Sequence, residues 1–270
     1  MWMEAEPAVR LGAFLGVLLL MALWEGAAPR RRRSIPRRRR WPSNLGIVVL
    51  NAGLVRFLVP LPLLGIAWMA EQERVGLLYA LSIPAWAGVP LAVVLLDLVI
   101  YLQHVLFHTV PALWRLHRMH HADLELDVTT GVRFHPLEIL LSLGLKSAAV
   151  LAIGAPAVAV ILFEVVLNAS SMFNHANVRL PGWLDRGLRW IVVTPDMHRV
   201  HHSIRREETD SNFGFNLSWW DRLLGTYRPQ PKDGHEGMTI GIEQFRTLED
   251  LSLPRMLVQP IRGGIRTRDE

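Results

Sequence analysis

Three groups of histidines constrain the fold of this chain more than any other feature of its sequence. The first group has the spacing HxxxH and closes an apolar segment, whereas the other two share the spacing HxxHH. They are His104 and His108, then His117, His120 and His121, and far downstream His198, His201 and His202. A single HxxxH pair means little, but eight of 11 histidines in three tight groups are poorly explained by chance. The pattern favours a metal site to which both halves of the chain contribute.

The residues before the first group form a helical pattern with one polar stripe. Positions i and i+4 share a helix face, so His104 and His108 point the same way, and Asp97 and Tyr101 extend the stripe. A polar stripe on an apolar helix faces the interior of a bundle, because lipid does not solvate it. Pro111 ends this helix, since the residue before a proline is pushed out of the α region, and it starts the next one.

The second helix brings three imidazoles within one turn. His117 and His121 share a face, and His120 lies about 100° round the helix from His121. Neutral imidazole suits Zn, Cu, Fe and Ni. The chain has no cysteine, which excludes disulfides, thiolate ligands and a cysteine nucleophile. The remaining metal ligands are therefore His, Asp, Glu and Asn.

Long apolar runs place this site in or beside a membrane. The chain is 51% hydrophobic with a mean hydropathy of +0.24, and a bilayer core of ~30 Å needs ~20 helical residues. The predicted spans are 11–28, 45–70 and 80–110, followed by a helical hairpin over 137–167 that turns at Gly154 and Pro156. The predicted fold class is an all-α integral membrane helical bundle of about three spans plus this hairpin, with a cytosolic histidine-rich di-metal cap.

Eight arginines in residues 30–40 set the predicted orientation and account for the net charge of +5. One juxtamembrane block is typical of a topology signal and of a contact with anionic lipid headgroups. A nucleic-acid-binding protein spreads its basic residues over a folded face, so we expect no nucleic-acid partner. Because Glu4 and Glu6 give a signal peptide the wrong charge, we expect a retained first span. The N-terminus then lies opposite the histidine-rich site, which faces the cytoplasm.

The chain is predicted to have three parts. Residues 1–40 form the first span and its arginine anchor, 41–230 the membrane domain with the histidines, and 231–270 a polar tail in which His235 has no assigned role. Residues 184–193 read as an amphipathic interfacial helix with Arg189 outward, and 219–222 as an interfacial anchor.

Five further polar residues are candidates for the site. His175 closes the hairpin at the depth of the other histidines and is favoured as a ligand, while His135 is either a ligand or a supporting residue. Asp97 and Asp196 could each accept the free N–H of a ligating histidine, although Asp196 equally suits a helix cap. Asn174 is polar in apolar surroundings and could support the site.

These motifs resemble the fatty acid hydroxylase / sterol desaturase superfamily of membrane di-iron enzymes. Besides the three histidine groups, the resemblance rests on FHPLE at 134–138, NHAN at 174–177, TPDMHRVHHS at 194–203 and NFGFNLSWWDRLLGTY at 212–227. It covers roughly residues 84–229 and leaves out the first span with its arginine block.

The resemblance implies an activity and a ligand set. Members of the superfamily bind two iron ions through histidines of these motifs, activate O2 with two externally supplied electrons, and hydroxylate or desaturate a C–H bond of a lipid. The implied ligands are His104, His108, His117, His120, His121, His198, His201 and His202, with His175 and His135 beside them. The implied partners are a lipid from the bilayer and a separate electron donor of the cytochrome b5, ferredoxin or reductase type.

Two other functions remain open on the sequence. A zinc-dependent membrane hydrolase is disfavoured because no HExxH places a glutamate base between paired ligands. A non-catalytic metal or haem protein, or a transporter, would carry its ligands at mid-bilayer depth, whereas these groups lie near the ends of apolar segments. The sequence leaves the lipid and the choice between hydroxylation and desaturation undecided.

Overall fold

The computed structural model describes residues 2–263, whose regular structure is helical throughout, without a β-strand. The first eight helices are α1 (Trp2–Ala27), α2 (Arg37–Leu58), α3 (Leu63–Gln72), α4 (Leu77–Ala80), α5 (Ala85–Thr109), α6 (Pro111–His121), α7 (Pro136–Ile153) and α8 (Ala157–His175). Short helices follow as α9 (Gly182–Leu188), α10 (Pro195–His201), α11 (Arg206–Thr209), α12 (Trp219–Leu223), α13 (Gly234–Gly237) and α14 (Leu253–Val258). Single 3-10 turns lie at Thr130–Val132, Leu248–Leu251 and Gln259–Ile261.

Four helices are long and apolar enough to cross a membrane: Ala8–Ala27, Ala85–Thr109, Pro136–Ile153 and Ala157–His175. A fifth crossing is possible where Arg37–Leu58 and Leu63–Ala80 meet at a bend of 42°. The bend falls at the predicted interruption by Pro60 and Pro62, because proline cannot continue the backbone ladder of the preceding helix. The predicted all-α membrane bundle is confirmed, and the number of spans roughly fits.

The predicted hairpin is α7 and α8, joined by a tight turn. Gly154 ends α7 with φ +71°, a left-handed conformation that glycine adopts without a side-chain clash. Its backbone lies against Gly76, where an added Cβ would come within 2.2 Å of the Gly154 nitrogen. This contact packs the loop before α4 against the turn. The turn itself reverses the chain, so that α8 runs back to the end of the bundle where α7 began.

The core of the bundle lies between α3, α5, α7 and α8. Leu96, Ile100, Val160 and Phe163 are among its buried side chains. Large apolar side chains on the outer faces of the same helices, such as Leu106 and Leu141, stay exposed. In a bilayer these faces contact lipid, so the apolar surface agrees with the membrane reading.

The arginine block differs from the prediction, because part of it lies inside the protein. Arg40 is fully buried and pairs with Asp123 and Asp127, each at 2.6 Å. Arg37 donates to Glu25 at 2.7 Å. The exposed members Arg32, Arg38 and Arg39 remain available for lipid headgroups. A charge run in sequence cannot show which members pair with buried carboxylates, and here those carboxylates lie in the loop that follows α6 and at the end of α1.

The two predicted interfacial segments are also partly internal. Arg189, expected to point outward, is buried, pairs with Asp185 at 2.7 Å and donates to the carbonyl of Pro229 at 2.6 Å. Asp221, expected in a surface anchor, is buried and accepts from the backbone N–H groups of Phe213 and Gly214. These segments therefore fold over one end of the bundle and brace its loops.

Candidate metal centre

Nine histidines meet at one end of the bundle in two groups that could each hold a metal ion. The first group is His104, His108, His117, His121 and His201, and the second is His120, His175, His198 and His202. Within each group the candidate ligand atoms lie within 4.8 Å of one another. Helices α5, α6, α8 and α10 supply all of them except His202, which directly follows α10.

In the first group, outer hydrogen bonds fix the tautomers of three imidazoles. The Nδ1 atoms of His104 and His201 each donate at 2.7 Å to a backbone carbonyl, of Phe213 and Ser211 respectively. Since a carbonyl oxygen can only accept, the proton of each ring lies on Nδ1 and the lone pair on Nε2. Likewise Nδ1 of His117 donates to Oε1 of Glu138 at 2.7 Å.

The Nε2 atoms of these rings then face one another without a proton between them. Nε2 of His104 lies 3.1 Å from Nε2 of His201 and 3.1 Å from Nε2 of His117. Lone pairs that face each other at this distance repel, and a cation between them turns the repulsion into coordination. The donor set therefore fits a metal ion held by imidazole nitrogens.

The second group repeats this arrangement. Nδ1 of His175 donates to the carbonyl of Ser171 at 2.6 Å, and Nδ1 of His120 donates to that of Arg133 at 3.2 Å. Their Nε2 atoms face each other at 3.0 Å. Nε2 of His198 lies 3.1 Å from that of His175. This group also fits a metal ion.

Unpartnered nitrogens and lowered pKa values agree with this reading. The Nε2 atoms of His108, His121 and His202 are buried and have no hydrogen-bond partner among the described residues. Burial, together with the neighbouring imidazoles, lowers the pKa of His121 and His202 and brings that of His201 to about 3. The rings are thus neutral at pH 7, which is the form that binds a metal.

The two groups adjoin each other. The neighbours His120 and His121 on α6 belong to different groups, and the rings of His121 and His202 stack with centroids 4.5 Å apart. The two HxxHH motifs thus lie together at one end of the bundle, although a membrane hairpin separates them in sequence. The arrangement provides two adjacent positions for metal ions.

His135 and two acidic candidates lie outside both groups. His135 caps the N-terminus of α7, where its side chain accepts from the N–H of Leu137. Asp97 accepts from the backbone N–H of Leu217 and from the indole of Trp220. Among the described residues its expected contact with a histidine is not formed, because its position on α5 faces the loop around α12.

Asp196 and Asn174 contact arginine side chains and backbone around the site rather than its imidazoles. Asp196 pairs with Arg30 at 3.0 Å and with Arg199, and the cap of α10 is Thr194 instead. Asn174 donates to the carbonyl of Phe215 at 2.6 Å. The expected contact of Asp196 with a ligating histidine is therefore replaced by ion pairs with two arginines.

A cavity of about 220 Å³ extends from the first group into the bundle. His104 and His117 are among its lining residues, and Phe14, Phe107 and Phe134 contribute apolar walls. The side chains of α1, α2, α5, α7 and α8 surround the cavity. A mostly apolar space beside the imidazoles is suited to a hydrocarbon group.

Residues 89–226, just over half of the chain, match the model of the fatty acid hydroxylase family. The chain belongs to this family. The resemblance predicted from the histidine motifs is therefore confirmed. No solved structure is a significant match to the chain.

The names of three curated relatives of this fatty acid hydroxylase family member refer to three different lipids. An ornithine lipid hydroxylase of Rhizobium tropici is 34% identical over 154 residues, 56% of this chain and 45% of that protein. The alkylglycerol monooxygenase of Homo sapiens is 27% identical over 154 residues, 55% of this chain and 32% of that protein. Cholesterol 25-hydroxylase of Homo sapiens is 27% identical over 139 residues, 50% of this chain and 48% of that protein. The chain thus matches less than half the length of these relatives.

Two supporting residues of this family member were missed by sequence reasoning. Glu138 orients His117, and its position one helical turn after the His-Pro pair was a usable signal. Asp221 holds the loop whose Phe213 carbonyl orients His104, and burial raises the pKa of Asp221 to about 6. Asp221 lies in the motif at 212–227, but nothing in that motif shows that its carboxylate is buried.

We expect Glu138→Ala to lower the metal affinity of the first group about 10- to 100-fold, the usual effect of losing a carboxylate that orients a ligating histidine. Glu138→Gln keeps an oxygen that can accept from Nδ1 of His117, so its affinity should stay close to that of the wild type. Metal titration of both purified variants measures the difference. Equal affinities in the two variants would show that Glu138 does not orient His117.

Proposed function

We propose that this chain is a membrane di-iron oxidoreductase that uses O2 and external electrons to hydroxylate or desaturate a C–H bond of a lipid. The observation that carries the proposal is the pair of adjacent imidazole groups beside a mostly apolar cavity that His104 and His117 help to line. All-imidazole groups suit iron among the borderline metals. The names of the relatives favour hydroxylation of a lipid over desaturation.

The proposed ligands are the nine grouped histidines, five for one iron ion and four for the other. When bound, the ions supply the redox chemistry that activates O2 for attack on an unactivated C–H bond. The Nδ1–H groups of His104, His201 and His175 donate to carbonyl oxygens and that of His117 donates to Glu138, so that the Nε2 lone pairs point inward. The apolar walls of the cavity exclude water and hold the chain of the lipid against the first group.

We further propose that the centre lies on the cytoplasmic side and the N-terminus on the opposite side. The exposed Arg32, Arg38 and Arg39 belong to the same end of the bundle as the histidines, as the pairing of Arg40 with Asp123 requires. Positive residues at span ends favour the cytoplasm. A soluble electron donor of the cytochrome b5, ferredoxin or reductase type could reach a centre in this position.

Metal analysis combined with turnover in air and under strict anoxia tests the proposal. The membrane-embedded wild-type protein, supplied with a reductant and host lipids, should contain two iron ions per chain and form oxidised lipid only with O2. Isotopically labelled O2 should appear in a hydroxylated product. One zinc ion per chain with anaerobic lipid cleavage would support a hydrolase instead, and a metal-loaded protein that leaves every lipid unchanged would support a non-catalytic role.

A further inference from the structure

A second cleft, which shares no lining residue with the cavity beside the histidines, is lined mainly by arginines. Four guanidinium side chains and the carboxylate of Glu236 line it, the arginines being Arg30, Arg31, Arg32 and Arg179. Its volume of about 660 Å³ lies within the range of small-molecule sites. The lining therefore carries an excess of positive charge, which attracts an anionic ligand.

The cleft is built where two of the membrane helices, α1 and α8, reach the ends of their apolar spans. Ala28 directly follows α1, and Asn177 follows α8 by two residues. The N–H of Arg30 donates to the carbonyl of Asn177 at 2.9 Å, and the N–H of Arg179 donates to the carbonyl of Ala28 at 3.0 Å. Arginines from distant parts of the chain thus meet at the edge of the apolar layer, where lipid phosphates lie.

Arg31 contributes an unpartnered donor to this cleft. Its Nη1 is buried and has no hydrogen-bond partner among residues 2–263. The side chain of Asn177 fixes the backbone of Arg31, because it accepts from the N–H at 3.0 Å and donates to the carbonyl at 2.8 Å. Burial lowers the pKa of Arg31 below its usual value, so the surrounding acceptors do not compensate for the water that the guanidinium loses. An anion in the cleft supplies such an acceptor.

Glu236 shows that an anionic group fits between the arginines. Its Oε1 accepts from Nη1 of Arg30 at 3.1 Å and from Nη2 of Arg179 at 2.9 Å. The Glu236 side chain is 70% exposed, and ion pairs at such exposure contribute little to stability. A phosphate offers more oxygens than a carboxylate and matches the fork of a guanidinium. It can therefore displace Glu236 and reach Arg31 as well.

We propose that the arginine cleft binds the phosphate of an anionic phospholipid, at a site separate from the metal centre and its cavity. The inference goes beyond the proposed function and does not depend on it. The position at the ends of two spans favours a lipid over free phosphate, because basic pockets between membrane helices bind anionic headgroups. Arg30 also pairs with Asp196 at 3.0 Å, so a bound headgroup ties the span ends to α10. The alternative is that Glu236 and the arginines only fasten α13 to the ends of α1 and α8.

Lipid titrations of the purified chain in detergent, measured by native mass spectrometry, test the proposal. The probes are phosphatidylglycerol, which is anionic, and phosphatidylcholine with the same acyl chains, which is zwitterionic. We expect the wild type to bind one phosphatidylglycerol about tenfold more tightly than phosphatidylcholine, the effect of one charge-assisted hydrogen bond.

Two arginine variants with the same change of charge separate the cleft from the rest of the arginine block. Arg179→Gln should lower the affinity for phosphatidylglycerol about tenfold, and because the side chain is 60% exposed its loss leaves the core intact. Arg39→Gln, which changes an exposed arginine outside the cleft, should lower the affinity less than about twofold.

Glu236→Gln gives an expected change of the opposite sign. Removing the carboxylate that competes for Arg30 and Arg179 should raise the affinity for phosphatidylglycerol. Glu249→Gln is the matched control, because Glu249 is an exposed acid outside the cleft, and its affinity should equal that of the wild type.

Equal affinity of the wild type for the two lipids would overturn the proposal. Equal losses in Arg179→Gln and Arg39→Gln would also overturn it, since the attraction would then belong to the whole arginine block. An unchanged affinity in Glu236→Gln would do the same, because Glu236 would not occupy the position of the phosphate. Displacement of bound phosphatidylglycerol by equimolar inorganic phosphate would show a site for free phosphate and overturn the assignment to a lipid. Binding needs neither metal nor O2, so these results are independent of the tests of the proposed function.

Discussion

Replacing His201 with alanine is expected to release one metal ion and to abolish lipid oxidation. Nε2 of His201 faces Nε2 of His104 at 3.1 Å, so the variant removes one of the five proposed ligands of the first group. Losing a residue that merely orients a ligand lowers metal affinity about 10- to 100-fold, and losing the ligand itself should cost more. Iron content per chain and product formation in the presence of O2 measure both effects.

His235→Ala is the matched control for this prediction. His235 is also buried, at 5% exposure, but it belongs to neither group and lies 3.7 Å from Asp196. We expect this variant to keep its iron and its turnover. If His201→Ala retained full iron content and wild-type turnover, the first group would not be a metal site. If both variants lost iron equally, the loss would reflect a general effect of removing a buried histidine.

Replacing Arg40 with methionine is expected to produce the largest loss of stability. Arg40 donates to both oxygens of Asp123 and to Asp127, all at 2.6 Å and fully buried. Burial alone would raise the pKa of Asp123, but Arg40 and Arg133 hold it below its usual range. Removing the guanidinium deprives two buried carboxylates of the arginine that pairs with both, which costs about 3–5 kcal/mol of the free energy of unfolding.

Thermal unfolding of the purified protein in detergent measures this effect, with an expected drop in Tm of roughly 10 °C or more. Arg39→Met is the matched control, because Arg39 is the exposed neighbour in the same arginine block. Its free energy of unfolding should stay within about 0.5 kcal/mol of the wild-type value, as for most surface substitutions. Equal Tm values for the two variants would show that Arg40 contributes no more than a lipid-facing arginine.

Much of the fold was predictable because its signals are local. The break at Pro111 follows from the restriction that proline places on its own backbone and on the preceding residue. The hairpin follows from an apolar run too long for one span, interrupted by Gly154 and Pro156. The histidine spacing predicted the family, and the match over residues 89–226 confirmed it. The roles of individual histidines as ligands stay predictions.

The sequence by itself determined the helices, their apolar faces and the three histidine groups, because periodicity and proline act within one segment. Only the tertiary structure decided which imidazoles share a position, separating the neighbours His120 and His121 into different groups. It also placed Arg40 against Asp123, 83 residues apart, and turned Asp97 away from the histidines. The physical reason is that a periodic pattern shows which side chains share a face, whereas their partners depend on which faces of distant helices pack together.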